Sequence, residues 1–314
     1  YEMSASLVGS EMCIRDRAMA MNLAAEIVCI DINEKVAHGE ALDATHATPC
    51  TYVPGMKVYS GDFSQCKDAD IIICSGGPSI LPGEKLDRLI LAERNVKVIG
   101  EIMTEVTKYT KNTPFIMITN PLDVTTYLAA TKFGYEKGKL FGTGTTLETL
   151  RLKRIIANHY NVDAKDVQGF MLGEHGNSAF PAWSTISIGG VRLADLDKYY
   201  DHNSDFDKKA IAQEVVNTAY DVLLSKGWTN TGIAMGACRL ARAVMFNERC
   251  VTPVSTPLEG EYGLTDVALS LPSIIGANGV EKRLAIDLPE DELKALHFSA
   301  ESIKTVLRAN KLID

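Results

Sequence analysis

The chain has 314 residues, 46% of them hydrophobic, with 40 acidic against 32 basic side chains and a net charge of −8. That length can fill two cores, and the acidic balance excludes a nucleic-acid partner, which needs clustered Lys and Arg against phosphates. No apolar run reaches the roughly eighteen residues that span a bilayer, and the seven cysteines lack zinc or redox spacing, so no membrane association is expected and reduced thiols in a cytoplasmic setting are.

Residues 1–17 contain no uninterrupted apolar stretch and end in Arg15-Asp16-Arg17, which argues against a signal peptide. The string Ser6 to Arg17 reads as a translated sequencing-adapter remnant, so residues 1–17 are expected to be non-native, with the frame resuming near Ala18. The first clear strand is Ile27-Val28-Cys29-Ile30, closed by Asp31. Two readings of Asp31 are open: an acceptor for both hydroxyls of an adenine ribose, which selects NAD over NADP, or a turn former. The ribose reading requires Gly-x-Gly-x-x-Gly about twenty-five residues earlier. That stretch is Ser6-Leu7-Val8-Gly9-Ser10-Glu11-Met12, with one glycine. A missing first strand and phosphate loop are therefore expected, and with them an unpaired sheet edge.

The next strands are Ile71-Ile72-Ile73-Cys74, ending at Ser75-Gly76-Gly77, and Phe115-Ile116-Met117-Ile118, ending at Thr119-Asn120-Pro121. Ile- and Val-rich strands with polar or Gly carboxyl ends and helices between them describe a parallel α/β sheet that binds ligands at those ends. Gly76 and Gly77 either contact a cofactor through backbone or make an ordinary turn. Residues 78–84, Pro-Ser-Ile-Leu-Pro-Gly-Glu, are incompatible with regular structure. Arg88 follows near a helix start, either carried by a lid over a substrate or simply solvated. From Glu148 the pattern changes to amphipathic helices over about 148–159, 206–226, 231–245 and 290–308 with scattered short strands, predicting an α+β domain. The expected division is 1–17, 18–142 and 143–314.

Gly173-Glu174-His175-Gly176 is the most informative segment. Histidine titrates near neutral pH and can give or take a proton, and flanking small residues let a substrate reach it. His38, His46, His159, His202 and His297 lack such a setting. A buried imidazolium needs a carboxylate, which Glu148 or Glu174 can supply; Glu148 is preferred because Glu174, adjacent in an extended segment, points away. Arg151 lies one turn after Glu148 and is either a bidentate clamp for a substrate carboxylate or half of a surface pair. Together these residues fit reduction of a 2-oxo acid. No His/Asp/Glu ligand cluster supports a metal-assisted alternative.

These residues resemble the L-lactate and malate dehydrogenases, including the L-2-hydroxyisocaproate dehydrogenases, from about Ala18 to the C-terminus. The resemblance rests on Gly173-Glu174-His175-Gly176-Asn177-Ser178, Thr119-Asn120-Pro121-Leu122-Asp123, and Gly142-Thr143-Gly144 leading into Leu147-Glu148-Thr149-Leu150-Arg151. It implies a Rossmann-type NAD domain followed by an α+β substrate domain. It also implies His175 as acid/base, Arg151 as carboxylate anchor, Arg88 as polariser, Asn120 as a donor near the carbonyl, Asp31 as ribose acceptor and Thr229 as a pocket residue. Relatives are commonly dimers or tetramers, and apolar helices such as Ile233 to Val244 can supply an interface.

Three departures stand out. The Gly-rich loop is absent, Glu148 stands where the family usually has Asp, and the lid has neither the Gln of lactate enzymes nor the Arg of malate enzymes. Burying a second carboxylate without a cation disfavours malate, whereas Ile80 and Leu81 suit pyruvate or a branched 2-oxo acid such as 2-oxoisocaproate. The competing expectation is a truncated or chimeric chain that keeps the substrate domain but binds no cofactor.

Overall fold

The computed structural model describes residues 4–8, 12–78, 88–202 and 204–314. The first half supplies β1 (Ser4–Val8), α1 (Met12–Ala20), β2 (Glu26–Ile30), α2 (Glu34–Ala47), β3 (Lys57–Ser60), β4 (Ile71–Cys74), α3 (Arg88–Val106), β5 (Phe115–Met117), α4 (Leu122–Lys132) and β6 (Leu140–Gly142). The second half supplies α5 (Thr146–His159), the short strands β7 (Val167–Gln168), β8 (Met171–Leu172), β9 (Phe180–Pro181), β10 (Ser187–Ile188) and β11 (Val191–Arg192), then α6 (Lys208–Lys226), α7 (Thr231–Met245), β12 (Cys250–Glu259), β13 (Thr265–Gly276), β14 (Gly279–Arg283) and α8 (Glu290–Ala309).

Strands pair in the order β14-β13-β12-β6-β5-β4-β1-β2-β3. From β6 to β3 every pairing is parallel, so both faces need helical cover. Alternation divides the side chains between the faces. Ile27, Ile71, Ile73, Ile116 and Phe141 join a core with residues of α1, α2 and α7. Val28, Ile72, Cys74, Phe115 and Met117 join another with α3, α4 and α8. Each fully buried Ile in such a layer contributes about 1.5–3 kcal/mol. The turn after β2 starts α2, capped by the Asn33 side chain, which accepts from Val36 N.

The expected loss of the first strand is overturned. Ser4–Val8 pairs in parallel with β2 on one side and β4 on the other, so no central strand is left unpaired. A strand in that position is held by backbone hydrogen bonds to two neighbours, which do not require an apolar run. In α1, Ile14, Ala18 and Met19 are buried, and the Arg15 guanidinium reaches Asp16 at 2.7 Å and Glu40 at 2.8 Å. Of the segment Ser6 to Met12, where the phosphate loop is expected, residues 9–11 lie outside the described residues.

One further expectation changes. The scattered strands of the second half include a long antiparallel meander, β12-β13-β14, joined to β6 through Ser255 and Gly142, so one sheet runs through both halves of the chain. Helix α7 packs Ala234, Ala237, Cys238, Leu240, Ala241 and Val244 inside the core and leaves Met235 well exposed. A third core, from Leu152, Ile156, Val167, Met171, Ile188 and Ile211 among others, holds α5 against the short strands. Among the described residues no helix is long and apolar enough to cross a membrane.

Candidate active site

Two neighbouring elements bring the proton-handling groups together. Helix α5 is locked to β8: Thr145 Oγ1 donates to Met171 O at 2.5 Å, and Met171 N donates to Thr149 Oγ1 at 2.9 Å. Beyond β8 the chain turns at Gly173, whose backbone exchanges hydrogen bonds with Ser270 of β13. Gly173 has φ +87°, and a Cβ there would lie 2.5 Å from Ser299 Oγ, so only glycine fits without strain. Glu174 is fully buried; its N–H donates to Ser299 Oγ, and its carboxylate accepts from the Ser178 backbone and hydroxyl. Glu174 is thus occupied with its own turn, as the extended-segment argument requires.

Glu148 Oε1 stands 2.8 Å from His175 Nδ1, with 9% and 19% of the two side chains exposed. The contact is an ion pair at hydrogen-bond length. Burial opposes the imidazolium, but the charge and hydrogen bond of Glu148, helped by Asp123, raise the His175 pKa above its ordinary value. Burial likewise opposes the Glu148 carboxylate, and His175 with Arg151 pulls its pKa down. The direction for the pair is therefore imidazolium and carboxylate. Arg151, half-buried one turn along α5, is the neighbouring cation; burial lowers its pKa and Glu148 opposes that change, but guanidinium remains charged.

The carboxyl ends of the parallel strands carry the remaining candidates. Asp31 is half-buried at the end of β2, and its Oδ1 accepts from Asn33 N at 2.8 Å. The turn-former reading therefore holds for one oxygen, which leaves the other as an acceptor. Beside it Ile32 is completely exposed, an apolar surface on which a planar ring can pack. Thr119 Oγ1 donates to Gly76 O at 2.7 Å. Gly77, at φ +145°, would carry a Cβ only 2.5 Å from Asn95 Oδ1, which keeps this loop narrow enough for close backbone approach. An acid, an apolar platform and glycine backbone at the carboxyl ends of β2 and β4, on either side of β1 in one parallel sheet, fit a dinucleotide.

Asn120 is exposed after β5 and precedes a cis bond to Pro121. Thr229 is half-buried between α6 and α7, and Arg88 begins α3. Ile80 and Leu81 lie outside the described residues. Of the histidines assigned no role, His159 stacks on His202 at 6.0 Å beside Tyr160 and Phe206, a packing role.

Sequence reasoning missed three buried polar residues. Asn95, on the inner side of α3, donates from Nδ2 to Pro78 O at 3.0 Å and to Asn120 O at 2.6 Å, tying the loops after β4 and β5 together. Asp123 accepts the His175 N–H at 2.7 Å and the Ser255 hydroxyl at 2.6 Å. A polar residue within an apolar helix face was the available signal for Asn95, and Asp123 in the apolar segment Leu122 to Ala129 gave the same signal. Ser255 had none.

Comparison with known proteins agrees with this arrangement. Residues 4–142 match the lactate/malate dehydrogenase NAD binding domain, and residues 145–311 match the lactate/malate dehydrogenase alpha/beta C-terminal domain. An L-lactate dehydrogenase of Selenomonas ruminantium is 48% identical over 96% of this chain and 95% of its own length. L-lactate dehydrogenase 2 of Clostridium acetobutylicum is 46% identical over 97% and 94%. A lactate dehydrogenase from a Medee basin deep-sea metagenome library superposes with a TM-score of 0.93 at 29% identity, over 99% of both chains.

Proposed function

The chain belongs to the lactate/malate dehydrogenase family, and from that premise we propose that it is an NAD-dependent L-lactate dehydrogenase interconverting pyruvate and L-lactate. The observation that carries this reading is the buried Glu148–His175 pair with Arg151 one turn away. The nearly full-length likeness to L-lactate dehydrogenases supports it.

When bound, the nicotinamide group supplies or accepts the hydride. The protein's own residues do the rest. Arg151 holds the substrate carboxylate through two parallel hydrogen bonds and so orients the carbonyl. Asn120 donates to the carbonyl oxygen, and Arg88 polarises it when the preceding loop covers the substrate. His175, with Nδ1 engaged by Glu148, gives the Nε2 proton to that oxygen during reduction and takes it back during oxidation. Asp31, Gly76, Gly77 and Asn120 hold the cofactor, and Asp31 disfavours a 2′-phosphate. Thr229 closes the substrate pocket.

The finer reading is that Ile80 and Leu81 admit pyruvate and larger aliphatic 2-oxo acids such as 2-oxoisocaproate, with oxaloacetate disfavoured for want of a cation in the loop. The division at 142/143 into cofactor and substrate domains, a cytoplasmic setting consistent with seven free cysteines, and a homodimer or homotetramer complete the proposal. Initial rates of NADH consumption with pyruvate, 2-oxoisocaproate and oxaloacetate test it. Pyruvate is expected to lead and oxaloacetate to trail; a folded protein inactive with all three would refute the reading.

A further inference from the structure

We propose that Asp123 is a positioning residue for His175, its carboxylate fixing the backbone of the proton donor against the cofactor side of the site. Asp123 is 1% exposed, on the first turn of α4. Its Oδ2 accepts the His175 backbone N–H at 2.7 Å, and its Oδ1 accepts the hydroxyl of Ser255, itself fully buried on β12, at 2.6 Å. One side chain therefore ties three elements together at the site: α4, the turn that carries His175, and β12.

The placement has a chemical consequence. Asp123 follows Asn120 by three residues, so the segment that presents Asn120 to the substrate oxygen also grips the backbone of the residue that protonates that oxygen. A charge-assisted bond to a backbone N–H is shorter and stiffer than a neutral one, and the start of α4 favours a carboxylate there. The groups facing His175 are Glu148 and Arg151 from α5 and Asp123 from α4, while Glu174 on its own turn is held by Ser178 and points away. Glu148 governs the ring through Nδ1. Asp123 acts on the main chain and adds a second negative charge beside the imidazole. This inference rests on the dehydrogenase reading for its effect on turnover, but not for its effect on the ring itself.

Two substitutions separate charge from architecture. Asp123→Asn keeps an acceptor for the His175 N–H while removing the charge, and Ser255→Ala leaves the charge but strips a donor from it. The His175 ring is titrated by NMR in the cofactor-free protein labelled at histidine Cε1, with His175→Gln assigning the signal. Kinetics with pyruvate and NADH accompany the titration. Asp123→Asn is expected to lower the ring's midpoint by about one pH unit and kcat about tenfold or more, with KM for NADH unchanged. Ser255→Ala is expected to move the midpoint the other way, because a carboxylate with fewer donors presents more of its charge. Should Asp123→Asn fail to fold, the upward shift in Ser255→Ala alone decides. A midpoint that neither substitution moves overturns the proposal. Ring shifts as expected in a chain inactive toward every 2-oxo acid uphold Asp123 and refute the dehydrogenase reading instead.

Discussion

Glu148 and His175 meet at 2.8 Å from different elements, one from the first turn of α5 and the other from the turn beyond β8. The side chains lock together because Thr145 and Thr149 fasten α5 to Met171 just before that turn. The extra methylene of Glu, relative to the Asp usual in the family, is thereby accommodated. Replacing Glu148 with Gln keeps the volume but removes the charge that favours the imidazolium. The kcat for pyruvate reduction is expected to fall about a hundredfold with little change in KM for NADH, whereas Glu148→Asp should retain part of the rate. Full activity in Glu148→Gln would show that the pair is structural only.

The same pair sets the pH dependence. Reduction needs the imidazolium, so kcat/KM for pyruvate should decline as pH rises through the raised His175 pKa, and lactate oxidation should rise over the same interval. Stability follows the linkage signs. The His175 contribution is fully present below the unfolded value of about 6.5 and is lost as pH climbs through the folded pKa. The Glu148 contribution is present above the unfolded value of about 4.3 and is lost as pH falls through the lowered folded pKa. Both act fully between those values. Thermal melts across pH should show a stability difference between the native chain and Glu148→Gln that is largest in that window; a pH-independent difference would contradict the assignment.

Arg151→Lys tests the clamp. A lysine keeps the charge but loses the fork, at a cost of roughly 1.5–3 kcal/mol for one charged hydrogen bond. KM for pyruvate should rise about ten- to a hundredfold while KM for NADH holds. An unchanged KM for pyruvate would return Arg151 to a simple helix pair with Glu148.

Gly173→Ala should cost about 1–3 kcal/mol of stability, because it forces a side chain into the left-handed region and against Ser299 Oγ. Differential scanning calorimetry should show the lowered Tm, and kcat should fall with it, since the displaced turn carries His175. A Tm equal to that of the native chain would mean the turn relaxes freely.

Asp31→Ser removes the charge proposed to disfavour a 2′-phosphate. The ratio of kcat/KM for NADPH to that for NADH is expected to rise at least about tenfold. If the ratio stays put, Asp31 serves its turn with Asn33 and nothing more.

What could be read from the chain and what could not divides along physical lines. The apolar runs of β2, β4 and β5 and the 3.6-residue stripes of α5, α6, α7 and α8 are local periodicities that the sequence alone determines, and the polar strand ends Asp31, Gly76-Gly77 and Asn120 follow from them. Glu148 and Arg151 share a face because a helix places i and i+3 together. β1 was invisible because Ser4-Ala5-Ser6-Leu7-Val8 has no apolar run; its place between two strands supplies the hydrogen bonds that hold it. β12 and β13 were obscured by Pro253, Pro257 and Pro272, which ordinarily argue against a central strand, yet Pro253 and Pro272 sit opposite one another in the antiparallel ladder. The choice of Glu148 over Glu174 rested on local geometry, but the grip of Asp123 on His175 joins residues 52 positions apart. Periodicity reports which face of an element is buried; only the packed tertiary structure decides which buried polar groups meet, because desolvation makes an unpaired one costly and selects the arrangement in which each finds its partner.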